Sequence, residues 1–129
     1  MDLQYGFSKV VEKPFEDVLN ETKDELVNEG FGILTTINVK EKFKEKLGID
    51  YRNYVILGAC NPPSAYKAIE SEENIGLILP CNVIVYEKGG NTVVSVIKPT
   101  VAMQMIDNKA LNEIAVVIET KLKSVFDRI

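Results

Sequence analysis

The chain has 129 residues, a formal net charge of −4, two cysteines and no histidine. That length suits a single domain, 1–129, able to bury its own core without staples. The acidic balance, with only two arginines, argues against nucleic acid and anionic membranes, and the missing histidine removes Ser-His-Asp and Cys-His catalysis and His-ligated metals.

The chain opens without the basic and apolar order of a secretory signal. Leu3, Tyr5 and Phe7 alternate with Gln4, Gly6 and Ser8, the period of a half-buried strand. Pro14, with Glu16 and Asp17 in the following turn, starts a helix predicted to run to Glu29. Phe15, Val18, Leu19, Thr22 and Leu26 lie along its inner face, and Gly30 supplies a left-handed cap. Phe31 to Ile37 is β-branched and apolar, hence a strand. Asn38 and Glu41 resemble a capping box for a short helix from Val39 to Leu47, closed by Gly48. Val39, Phe43 and Leu47 share one face of it.

Tyr54 to Ala59 reads as a strand with both faces covered or central in the sheet, and Ser64 to Glu70 as a helix entered through Pro62-Pro63. Ile75 to Leu79 is compatible with a tight helical turn or an extended segment. The apolar run from Ile75 to Tyr86 is too short and too broken to span a bilayer. Asn82 to Glu87 and Thr92 to Lys98 form a hairpin across Gly89-Gly90-Asn91. Thr100 to Met105 makes one helical turn. Asp107 or Asn108 then caps a last helix to about Phe126, with Leu111, Ile114, Ala115, Ile118, Leu122 and Val125 as its inner stripe.

This order predicts an α+β fold, an antiparallel-rich sheet with helices on one face. Val83 and Val85 alternate with Ile84 and Tyr86, and Val94 and Val96 oppose Val93 and Ile97. One helix layer covers one of those sets, so the other is expected to be covered by a second copy in a homodimer, or else by the short helices after Asn38 and Pro62 in a monomer.

Five residues stand out as a candidate site. Cys60 ends a strand at a helix start, where the positive end of the helix dipole would lower a thiol pKa and favour anions. Cys81 follows Pro80 at the next strand start. The two thiols could form a redox pair or, with other ligands, a metal-thiolate site, or simply pack as small apolar groups. Asn61 and Asn82 can cap and turn the backbone or orient a polar ligand. Arg52, between Tyr51 and Tyr54, is a rigid bidentate donor suited to carboxylate or phosphate, or a solvated residue at a strand edge. No cofactor is indicated by any motif, and two cysteines without a signal suggest free thiols in a reducing cytoplasm.

The segments Gly30-Phe31-Gly32-Ile33-Leu34-Thr35, Lys46 to Tyr54, Ile56-Leu57-Gly58-Ala59-Cys60-Asn61-Pro62-Pro63 and Gly76-Leu77-Ile78-Leu79-Pro80-Cys81-Asn82-Val83 resemble the domain of unknown function 302 family. The resemblance covers essentially the whole chain. It implies a TBP-like β-α-β(4)-α fold, in agreement with the element order, and it carries no established activity. Members often have an acidic residue before the proline that ends the last strand, where this chain has Lys98.

Three functions are open at this level. The first is a binding module for a small polar or anionic ligand, using Cys60, Asn61, Cys81, Asn82 and Arg52. The second is a thiol-redox or metal-thiolate protein using Cys60 and Cys81. The third is a homodimeric interaction domain with no small ligand.

Overall fold

The computed structural model describes residues 2–129. Its elements are β1 (Asp2–Leu3), β2 (Gly6–Val11), α1 (Phe15–Asn28), β3 (Gly32–Asn38), α2 (Val39–Leu47), β4 (Tyr54–Cys60), α3 (Pro62–Ser71), a 3-10 turn (Glu73–Leu77), β5 (Cys81–Lys88), β6 (Asn91–Ile97), α4 (Pro99–Ala102) and α5 (Lys109–Asp127). Six strands form one antiparallel sheet in the order β1-β2-β6-β5-β4-β3. With α2, α3 and α4 set aside as short insertions, β2 to α5 follow the expected order of strand, helix, four strands and helix.

The long helices cover one face of the sheet. Alternation along the strands sends Val55, Leu57, Ala59, Cys81, Val83, Val85, Val94 and Val96 toward Val18, Leu19 and Leu26 of α1 and Ile118, Leu122 and Val125 of α5, forming one buried core. A smaller cluster of Ala68, Ile75, Met103, Leu111 and Ala115 joins α3, the 3-10 turn and α4 to the start of α5. Short-range signals account for the helix ends. Asn38, Asn61 and Asn108 accept from the backbone N–H of Glu41, Ser64 and Leu111, each satisfying a donor the helix cannot use internally. The β5–β6 hairpin turns on Gly89 and Gly90, both at positive φ of 58° and 83°, a conformation that glycine adopts without a Cβ clash.

One local expectation is corrected and one open reading is decided. Leu3, Tyr5 and Phe7 do not share one strand. The chain reverses at Gln4-Tyr5, so that Leu3 pairs with Gly6 and Tyr5 is exposed. The reversal seats Gly6 opposite Ile97, where a Cβ would come within 2.9 Å of the Val96 carbonyl oxygen. The segment after Glu72 resolves as a 3-10 turn that buries Ile75, followed by a cis peptide bond at Leu79-Pro80.

Candidate functional site

The five candidate residues divide between two hollows on opposite faces of the sheet. The first, about 220 Å³, lies where the ends of β3 and β4 meet α3, and Cys60, Asn61 and Cys81 line it with Phe31, Leu34 and Ile118 among others. Ala59 pairs with Cys81 across β4 and β5, which brings the neighbouring Cys60 near the second thiol. Its lining is otherwise almost wholly apolar. Burial, with a smaller push from the nearby Cys60, raises the Cys81 thiol to about 11. Burial also raises the Cys60 thiol, the direction opposite to that expected beside a helix N-terminus. A neutral thiol is a poor nucleophile and a poor metal ligand. Among the described residues no cluster of three or more Cys, Asp or Glu is arranged to hold a metal ion.

Asn61 is occupied by the fold itself. Its Oδ1 accepts from the Ser64 N–H at 3.2 Å, and its Nδ2 donates to the Gly30 carbonyl at 3.3 Å. One amide thus caps α3 and ties that cap to the turn between α1 and β3. Both polar ends of the side chain have partners before any ligand arrives.

The second hollow is a groove of about 460 Å³ on the helix-free face, and it holds Arg52 and Asn82. Period-two alternation explains the split, because consecutive residues Cys81 and Asn82 must point to opposite faces. Tyr54 and Tyr86, paired across β4 and β5, stack with ring centroids 5.1 Å apart and an interplanar angle of 14°. The Arg52 guanidinium sits 5.2 Å from the Tyr51 ring centroid and 5.5 Å from that of Tyr86. Arg52 is itself exposed, and contacts of this kind bias its guanidinium toward the rings while leaving its N–H fork free to donate. Ser8 and Ser95 share a buried hydrogen bond of 2.7 Å on the floor, and Tyr5 and Ile84 complete the walls.

The groove's electrostatics are one-sided. It is lined by one cation and no carboxylate, in a chain with 19 Asp and Glu. Arg52 makes no ion pair among the described residues, whereas Arg128 pairs with both Glu25 and Glu29. Burial pushes the Tyr54 hydroxyl up, with Tyr86 adding to it, so the phenol stays a neutral donor over the ordinary pH range.

The stacked tyrosines, Tyr5 and the serine pair were not singled out from the sequence. Tyr51 and Tyr54 on either side of Arg52 were the available signal. Tyr86 and Ser95 join only through strand register, which no local pattern encodes.

A family model described as "Domain of unknown function DUF302" matches residues 7–129. The chain is also similar to a solved structure, the crystal structure of an uncharacterized conserved protein DUF302 from Bacillus stearothermophilus. The two are 34% identical with a TM-score of 0.90, over 98% of each chain. No curated protein matches the chain. The chain belongs to the DUF302 family.

Proposed function

We propose that this DUF302 domain binds a small anionic ligand with an aromatic or apolar body in the groove on the helix-free face of its sheet. The observation that carries this reading is the placement of Arg52, stacked on Tyr51 and Tyr86 at a groove lined by no carboxylate. Its guanidinium would take the ligand's carboxylate, sulfonate or phosphate as a fork of charge-assisted hydrogen bonds. Asn82, Ser95 and the Tyr54 hydroxyl offer neutral partners, while Ile84 and the tyrosine faces receive the body. This arrangement is the common design of small-molecule sites, an apolar concavity with a few placed polar groups.

The thiol alternative has weaker support, since both thiols are pushed toward the neutral form. No helix among the described residues is long and apolar enough to cross a membrane.

The test uses 8-anilinonaphthalene-1-sulfonate, an anionic aromatic probe, in the full chain. Saturable probe fluorescence is expected, with affinity falling about 10–100-fold in Arg52→Ala, the range for losing a charged hydrogen bond. Arg52→Lys should fall in between, because it keeps the charge and loses the fork. Equal affinity in wild type and Arg52→Ala would overturn the proposal.

A further inference from the structure

We propose that two copies of this chain associate through the free edge of β3, running antiparallel about a two-fold axis near Thr35 and Thr36. The two edges of the sheet are unlike. At one, β1 is 2 residues long; at the other, β3 runs for 7. Strand β3 pairs with β4 on one side only, so its outer N–H and C=O groups have no strand partner among the described residues. Natural proteins blunt such edges with charge, proline, brevity or a β-bulge. The sequence Gly32-Ile33-Leu34-Thr35-Thr36-Ile37-Asn38 has no charge and no proline and is not short, which leaves a bulge near its start as its one such device. Its one irregularity is the register shift between Ile33 and Thr35, beyond which pairing with β4 is regular to Asn38. Leu34 is 63% exposed and Ile37 43%.

Helix α2, which follows directly, buries none of its residues. It is nonetheless capped at both ends, by Asn38 and by Gly48 in the left-handed conformation. Leu47 and Ile49 stand exposed beside it. Each α2 leaves at Asn38 and packs back on its own chain, with Phe43 against Tyr51 and Lys44 paired to Asp50. Antiparallel pairing of two β3 edges puts the start of this helix beside the Gly32 end of the other copy's strand. Exposed Val27 and Leu34 lie at that end.

Charge selects a second copy over an unrelated strand. Lys40, Lys42, Lys44 and Lys46 outnumber Glu41 and Glu45 on α2, offset in part by Asp50, which pairs with Lys44, while Glu45 pairs with Lys42 and Lys46. The last turns of α1, which lead into Gly32, carry Asp24, Glu25 and Glu29, offset in part by Arg128. The two-fold brings basic α2 to acidic α1 twice, and closes. A strand edge by itself covers only part of the roughly 800 Å² per partner found in stable complexes. The α2 contact with Val27 and Leu34 extends it. The helix-free face, with Arg52, stays open in both copies.

Sedimentation equilibrium of the full chain across the micromolar range tests this, with hydrogen exchange on the same samples. The expected mass is twice 14.4 kDa, with β3 amides protected from exchange in step with association. Leu34→Lys and Thr36→Lys place charge at exposed edge positions, and circular dichroism checks that each is folded. Each should weaken association by at least about tenfold, because each brings a charge and its symmetry mate onto the paired edge close to the axis. A wild-type monomer at the highest concentration overturns the proposal. So does a dimer that survives both lysines and instead dissociates with Ile84→Lys, since the contact would then be on the helix-free face.

Discussion

Replacing Gly58 with alanine should destabilise the protein although the backbone there accepts an L residue. Gly58 sits within β4, opposite Thr35 on one side and Asn82 on the other. An added Cβ would overlap Thr35 Oγ1 outright and lie 2.8 Å from Pro80 Cγ, whereas carbon atoms in ordinary contact sit about 3.5–4.0 Å apart. Thr35 can relieve its part by changing rotamer, at the cost a β-branched side chain incurs. The Pro80 ring has no such freedom. Overpacking of this kind costs about 1–3 kcal/mol, and the lower entropy of the unfolded alanine chain returns about 0.4–1 kcal/mol. The net expectation for Gly58→Ala is a loss of about 1–2 kcal/mol, or roughly 3–6 °C in Tm for a domain of this size. Urea unfolding followed by tyrosine fluorescence measures it. Two protein concentrations separate association from intrinsic stability. Adding Thr35→Ala removes the hydroxyl overlap and should recover about 0.5–1 kcal/mol as a coupling in the double-mutant cycle. If Gly58→Ala is as stable as wild type, the steric argument is wrong. If the cycle is additive, the obstacle is Pro80 alone.

Two further substitutions have defined outcomes. Asn61→Ala removes the α3 cap and the bond to Gly30 and should cost about 1–2 kcal/mol in urea unfolding, with Asn61→Asp in between because it keeps the cap acceptor. Cys81, raised from 9.0 to about 11 in the folded state, contributes stability that is complete below about pH 9 and is lost as pH rises toward about 11, at up to about 1.4 kcal/mol per pH unit. The unfolding free energies of wild type and Cys81→Ala should therefore converge across that window, and a constant difference would show that Cys81 does not titrate as argued.

The local parts of this fold were legible in the residues themselves. Helix α2 starts and stops where Asn38 and Gly48 say it should, because caps act on the nearest turn. The apolar stripes of α1 and α5 match their buried faces. The β1–β2 reversal was hidden, since Leu3, Tyr5 and Phe7 have the parity of a strand. The close approach of Gly6 to the Val96 carbonyl, which admits no side chain there, is made with a strand distant in sequence. The placement of β2 beside β6 was unreadable for the same reason. Of the candidate site, the separation of Cys81 from Asn82 follows from strand alternation. The meeting of Arg52 with Tyr86 depends on the β4–β5 register, which sets Tyr54 against Tyr86.

The insertion of β6 between β2 and β5 bears on how the chain is made. Ser8 meets Ser95 across 87 residues of sequence. At about 5–20 residues per second, β2 leaves the ribosome roughly 4–20 s before its partner strand does. Phe7, Val10 and Val11 spend that interval without the strand that will pair with them, while β3 and β4 have each other once β4 has been made, and β5 is complete only just before β6. Strand β2 is thus synthesised well before its partner and among the last to be placed, and the loop it must close carries an entropic cost that contacts local in sequence do not.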